Sequence, residues 1–168
     1  MLPSIDLRIA NVIKALEQVI LPALMPRERL ARDQINLCIG HLRMIGEQWR
    51  WAAAFENGSF HAMIALAKAM QASVDPFYAD ELAAAIMSAD AIEGGDLATV
   101  EHGIVALGGL IDRIILGEDG QFPLAPELWD AVLTYGERQA TRERTWFAAT
   151  GLDPDRHELP GIAEMMTR

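Results

Sequence analysis

A chain of 168 residues, 51% of them hydrophobic and 7% aromatic, is long enough to bury a core without disulfides or a structural metal. Its 14 basic and 24 acidic residues leave a net charge of −10, which repels phosphate backbones and argues against nucleic-acid binding. The single cysteine, Cys38, excludes an internal disulfide and an all-cysteine metal cage.

The N-terminal residues lack the basic start, apolar core and small-residue cleavage site of a secretory signal. No charge-free stretch approaches the roughly 18 residues that a membrane-spanning helix needs. We therefore expect a cytoplasmic chain without membrane association.

The first part of the chain predicts two amphipathic helices. One runs over about 5–21, with Ser4 as its N-cap, and Pro22 and Pro26 then break or kink it. The second covers about 26–51. Its apolar positions step by three and four residues, as in a heptad, and are Ile35, Cys38, Leu42, Ile45 and Trp49. Because Cys38 lies in this stripe, we expect a buried, unreactive thiol.

Glycine, proline and cap residues predict four further helices. The first covers about 60–73, after a turn at 57–59, and the second covers 76–92, capped by Asp75 and ended by Gly94-Gly95. The third covers 97–116, is capped by Asp96 and is followed by a loop at 117–123. The fourth covers about 126–149. Short connections favour antiparallel neighbours. The sequence thus predicts an all-α fold, an up-and-down bundle of about six helices. We expect one domain over 1–150 and a mostly irregular tail over 151–168.

Charge is unevenly distributed along the chain. Between Lys68 and Arg113 there is no basic residue but there are eight acidic ones, whereas residues 1–68 carry eight basic and six acidic side chains. Solubility and complementary packing of the two regions are the favoured explanation. The alternative is that segment 69–112 forms an acidic docking surface for a basic protein partner.

Known chemistry-bearing motifs are missing. A di-metal carboxylate site in a bundle needs Glu-x-x-His on two helices, and no histidine here has a glutamate three residues before it. Cys38 and His41 lack a second pair of ligands, and His41 has Met44 where histidine-phosphotransfer domains place a lysine. Neither Gly-x-Ser-x-Gly nor a P-loop is present. The sequence predicts no catalytic residue, no metal ligand and no cofactor.

Two sets of residues remain as candidates for binding. Polar or aromatic side chains beside the helix seams are candidates for a ligand pocket, and these are His41, Trp49, Glu101 and Asp112. Gln34 and Gln139 flank the seams in the same way. Arg27, Arg29 and Arg32 cluster at the start of the second helix, where free N–H groups favour an anion. Pairing of these arginines with the acidic segment is the more common role of such a cluster.

Glycines and tryptophans exceed what a plain core requires. Six glycines fall within predicted helices, each at a cost of about 1 kcal/mol against alanine: Gly40, Gly46, Gly103, Gly108, Gly109 and Gly136. We expect close helix contacts at these positions, or room for a ligand. Trp49 and Trp51 lie about 200° apart around one helix, so one of them must meet a second helix, a partner subunit or a ligand.

The segments LPAL at 21–24 and LARDQINLCIG at 30–40 resemble the first two helices of small, uncharacterised bacterial helical proteins, some encoded beside aminoglycoside-phosphotransferase-like kinases. The resemblance covers roughly the first 50 residues. It implies a bacterial origin and an accessory role, and no catalytic residue is carried over.

These observations favour a non-enzymatic binding or accessory protein that forms a homo-oligomer. The alternative is a small-molecule sensor or an enzyme with a pocket between helices.

Overall fold

The computed structural model describes residues 3–92 and 96–167, with only the backbone of Asp119. Its α-helices are α1 (Ile5–Ala15), α2 (Leu21–Ala23), α3 (Arg29–Gln48), α4 (Ala52–Met70), α5 (Pro76–Asp90), α6 (Leu97–Gly120), α7 (Trp129–Trp146) and α8 (Ile162–Thr167). A π-helical turn spans Leu16–Ile20, and 3-10 turns span Pro126–Leu128, Ala148–Thr150 and Arg156–Glu158. The described residues include no strand, so the predicted all-α helical bundle is confirmed.

The chain divides into two compact units. The terminal unit comprises Met1–Trp51 and Glu143–Arg168, and the central unit comprises Ala52–Arg142. The core cluster of buried apolar residues lies in the central unit, on α4, α5, α6 and the turn before α7. Its most deeply buried large side chains include Phe60, Met70, Tyr78, Leu82 and Ile114. In the terminal unit, the only described residues that are buried are Ile39, Thr145 and Trp146.

In the terminal unit, α1 and α3 form an antiparallel helical hairpin. Side-chain contacts join the start of α1 to the end of α3 and the end of α2 to the start of α3. Ser4 caps α1, as predicted, by accepting from the Leu7 N–H at 3.2 Å. Gln48 Nε2 donates to the Trp146 carbonyl oxygen at 2.7 Å, and Arg144 Nε donates to Asp153 Oδ2 at 2.7 Å, so the C-terminal residues contact α3 and one another.

Pro22 does not end the first helical segment, which continues to Ala23. The π-helical turn before it, in which the Leu21 N–H bonds to the Leu16 carbonyl, explains the difference. A proline clashes with the carbonyl four residues earlier in a regular α-helix, and a widened turn relieves that clash.

The predicted turn at 57–59 is wrong, because α4 runs through it from Ala52. Asn57 Nδ2 donates to the Ala53 carbonyl within the helix at 2.7 Å, and Ser59 is buried. A β-carbon at Gly58 would lie 2.7 Å from Arg142 Nη2, so this glycine serves close packing instead of a turn.

The remaining helix caps agree with the prediction where they can be compared. Asp75 accepts from the Phe77 N–H and Asp96 from the Thr99 N–H, at 2.9 and 2.8 Å. The Gly94-Gly95 stop falls outside the described residues. Helix α6 extends into the predicted loop as far as Gly120. Near its end, Gly117 has a φ of +63°, and a β-carbon there would lie 2.4 Å from the Phe122 carbonyl oxygen.

Close helix contact accounts for only some of the helical glycines. A β-carbon at Gly103 would lie 2.7 Å from Phe60 Cζ and 3.2 Å from Ile92 Cδ1, whereas one at Gly40, Gly109 or Gly136 would meet nothing within 4 Å. The expectation of close contact is therefore correct at Gly103 and wrong at these three positions.

Two alanine substitutions test this distinction. In Gly103→Ala, overpacking against the buried Phe60 ring outweighs the gain in helix propensity, and we expect the free energy of unfolding to fall by about 1–2 kcal/mol. In Gly136→Ala no steric contact opposes the gain in helix propensity, so we expect the free energy of unfolding to rise by up to about 1 kcal/mol. Urea denaturation followed by circular dichroism measures both, and equal effects of the two variants would contradict the packing at Gly103.

Candidate functional site

The four predicted pocket residues divide between the two units. His41 and Trp49 belong to the terminal unit, and Glu101 and Asp112 lie on α6 in the central unit. Glu101 and Asp112 are exposed and eleven residues apart on one helix, a rise of about 16 Å. Their carboxylates therefore do not converge on one ligand.

His41 is exposed on α3, whereas Trp49 is half-buried at its end. Trp49 Nε1 donates to Asp6 Oδ1 at 2.9 Å, and the Arg50 guanidinium pairs with Asp6 Oδ2. The Arg50 guanidinium also lies over the Trp49 ring, 5.2 Å from its centroid. Trp49 thus meets a second helix, which is one of the three roles predicted for a surplus tryptophan.

Hydrogen bonds from Arg50 and Trp49 hold the pKa of Asp6 below its ordinary value. Both donors stabilise the ionised carboxylate, so the charged form is the one that joins α1 to α3. The chemistry of this cluster is that of a clamp between two helices, with its polar groups already engaged with one another.

Of the three arginines predicted as an anion site, Arg32 makes contacts within the chain. Arg32 Nη1 donates to the carbonyl oxygens of Leu21 and Leu24, at 3.1 and 3.4 Å. Its guanidinium is thus committed to the end of α2, where helix carbonyls lack partners. Arg27 and Arg29 are exposed at the surface.

A first groove in the central unit, of about 470 Å³, lies between α4 and α7. Its α4 side consists mostly of small residues, and its α7 side is polar, including Thr134, Arg138, Gln139 and Arg142. Arg142 Nη2 donates to the Phe55 carbonyl at 3.0 Å, and its guanidinium stacks over the Phe55 ring at 5.0 Å. We call this the arginine groove.

A second groove in the same unit, of about 440 Å³, lies between α4, α6 and α7. Its lining is apolar except for the carboxylate of Asp112 and the hydroxyl of Tyr135. Leu66 and Tyr135 line both grooves, so the two meet where α7 crosses α4. We call the second one the Asp112 groove.

Sequence reasoning found some of these residues and missed others. Asp112 and Gln139 flank apolar stripes in the sequence, and both line a groove in the structure. Arg138 and Arg142 were missed, although their spacing of four residues places them on one face of α7. These two arginines are identified as groove residues only because their face of α7 lies over the alanines of α4. The sequence does not show that packing, which is a feature of the tertiary structure.

The pKa of one carboxyl group in the central unit, that of Glu56, departs from its ordinary value. The half-buried Glu56 has a raised pKa because burial disfavours its charge and because Glu101 lies close enough to repel it, while Arg142 opposes the shift.

Within the described residues, no three His, Cys, Asp or Glu side chains are placed to hold a metal ion. The same residues contain no helix whose length and apolar character would suit a membrane crossing.

The Asp6 clamp predicts a pH-dependent signal. A lowered folded-state pKa means that the stabilisation is present above the unfolded pKa of about 3.9 and is lost as the pH falls through the folded value. We expect the Trp49 indole N–H resonance to titrate with a midpoint below about 3.9, and Asp6→Asn to abolish this transition. A midpoint at or above the ordinary aspartate value would contradict the clamp.

Comparison of the chain with protein-family models, curated proteins and solved structures finds no match in any of the three. The resemblance of the first 50 residues to small, uncharacterised bacterial helical proteins thus stays a prediction.

Proposed function

We propose that this chain is a non-enzymatic binding protein that self-associates through an apolar surface of the terminal unit. This α1/α3 face consists of Ile5 and Val12 on α1 with Cys38 and Ile45 on α3. The observation that carries the proposal is the exposure of these four side chains in a helical hairpin that buries almost no apolar residue of its own.

The two helices use only half of each apolar stripe to pack against each other. On α3, the half-buried positions Ile35, Leu42 and Trp49 are seven residues apart, whereas Cys38 and Ile45 are exposed. The helical segment that begins with α1 follows the same division, with Ile9 and Leu16 half-buried and Ile5 and Val12 exposed. A heptad stripe with one half unoccupied is typical of a helix that packs against more than one neighbour. The prediction of a buried Cys38 is accordingly wrong for the single chain.

A second copy of the hairpin supplies the missing neighbours. Two antiparallel hairpins form a four-helix bundle, which buries both halves of each stripe. A groove of about 250 Å³ between α1 and α3 is lined by Ile5, Ile9, Val12 and Leu42, with Arg8 at its edge. It offers an apolar cleft for side chains of the second copy. Burying a half-exposed aliphatic side chain is worth about 1 kcal/mol.

Charge also favours the terminal unit as the site of self-association. Its residues, 1–51 and 143–168, carry ten basic and ten acidic side chains, whereas residues 52–142 carry four basic and fourteen acidic ones. Identical copies meet with identical charges, so an interface in the central unit works against repulsion and one in the terminal unit does not.

A basic protein partner at segment 69–112 has less support. Asp90 pairs with Lys68 at 2.9 Å, and Glu81 pairs with Arg113 at 2.8 Å. Asp75 and Asp96 serve as helix caps. These local roles favour solubility and intramolecular pairing as the reason for the acidic segment.

Charge substitutions on the α1/α3 face test the proposal. At micromolar concentration we expect the protein to sediment as a dimer or larger. The double variant Val12→Glu/Ile45→Glu should sediment as a monomer, because both carboxylates would be buried at the interface. Met87→Glu, at a position 74% exposed in the central unit, is the matched control and should leave the assembly unchanged.

Circular dichroism of each variant serves as the control for folding, and we expect each to remain helical. A monomeric parent protein, or equal dissociation in the Met87→Glu control, would overturn the proposal. Cys38 gives a second readout, since its thiol is exposed in one copy and should be alkylated several-fold more slowly as the protein concentration rises into the associated range.

A further inference from the structure

The Asp112 groove has the lining of a small-molecule site. Met63 and Leu66 of α4 form one side, and residues of α6 and α7 complete it: Ile104, Val105, Gly108, Gly109, Ile111, Asp112, Ile115, Val132 and Tyr135. Its volume of about 440 Å³ falls within the range of ligand pockets, about 300–1,000 Å³. An apolar lining with very few polar groups is typical of such pockets.

Two adjacent glycines open this groove in the middle of α6. A β-carbon at Gly109 would meet nothing within 4 Å, and one at Gly108 would lie 3.4 Å from Met63 Cε, an ordinary contact distance. Packing within the chain therefore does not require glycine at position 109, although glycine in a helix costs about 1 kcal/mol against alanine. What this glycine does provide is open space along the groove wall.

Asp112 gives the groove its charge. Among the described residues that line the groove, it is the only charged one. The neighbouring Arg113 is committed elsewhere, because its guanidinium pairs with Glu81 at 2.8 Å and with Glu118 at 3.2 Å. The described lining thus combines an apolar surface with one carboxylate and no basic side chain.

The surrounding charge acts in the same direction. Residues 52–142 carry the whole net charge of −10, and between Lys68 and Arg113 there is no basic residue. Such a field concentrates cations near the surface and repels anions. A ligand complementary to this groove has an apolar body and one positive charge.

We propose that the Asp112 groove binds a small amphipathic cation, an alkyl or aryl amine whose ammonium group pairs with the Asp112 carboxylate while its apolar body lies against α4, α6 and α7. Gly108 and Gly109 leave room for that body. This inference does not depend on self-association, which concerns residues of the other unit.

Three probes of equal chain length separate charge from apolar contact: octylamine, which is protonated at pH 7, 1-octanol and octanoate. Titration into the full-length protein with labelled isoleucine methyl groups reports binding at Ile104, Ile111 and Ile115. We expect octylamine to shift these signals with the highest affinity, octanol to bind more weakly and octanoate weakest. Since Asp112 is exposed, we expect its charge to contribute about three- to fivefold in affinity.

Two pairs of variants assign the effect to the groove. Asp112→Asn should weaken octylamine about three- to fivefold and leave octanol unchanged, whereas Asp80→Asn, an exposed acid on α5 outside the groove, should change neither. Gly109→Leu fills the groove and should abolish binding of all three probes. Gly136→Leu is its control, because position 136 is equally open but lies outside the lining.

Equal affinity for octanoate and octylamine would overturn the proposal. So would equal effects of Asp112→Asn and Asp80→Asn, or methyl shifts that persist in Gly109→Leu. The preference for octylamine should also diminish between about 0.05 and 0.5 M salt, because the Debye length shortens severalfold over that range.

Discussion

The packing of α6 on α4 is the contact on which the central unit depends. Both helices contribute heavily to the buried core, and α5 adds Tyr78, Leu82 and Ile86 to it. Gly103 allows the approach, because a side chain there would collide with the Phe60 ring. Once these three helices enclose the core, α7 has only a narrow apolar stripe to lay against them, and a groove remains on each side of Tyr135.

The terminal unit is organised by a different kind of interaction. Its hairpin is pinned at one end by Asp6 with Trp49 and Arg50, and at the other by Arg32 with carbonyls of the preceding turn. Polar contacts of this kind, which remain partly accessible to solvent, set the alignment of two helices but contribute little free energy. Apolar burial normally supplies the rest. The terminal unit buries few apolar side chains, and this is the physical reason for proposing that a second copy covers its α1/α3 face.

Helical periodicity predicted the fold well, because residues three and four apart necessarily share a face of a helix. It could not show how much of a face is covered, so Cys38 was expected inside and lies outside. Local turn propensity failed at Asn57-Gly58-Ser59, because α4 continues through these residues, Asn57 bonds back to the Ala53 carbonyl and Ser59 is buried. The grooves could not be predicted from local sequence either, since the walls of one come from two helices and those of the other from three. Of the polar residues that line the grooves, only Asp112 and Gln139 are indicated by the local sequence, because they lie beside apolar stripes.

Self-association and the capture of a cation make opposite demands on charge. Copies of one protein associate most readily through a surface whose charges cancel, whereas a cationic ligand is held best where negative charge is left unbalanced. A single evenly charged surface would serve neither purpose well. Here the balanced charge lies in residues 1–51 and 143–168 and the unbalanced charge in residues 52–142. The division of charge along the chain is therefore compatible with both proposals, self-association at the exposed Ile5 and Val12 of the neutral unit and cation binding at Asp112 of the acidic one.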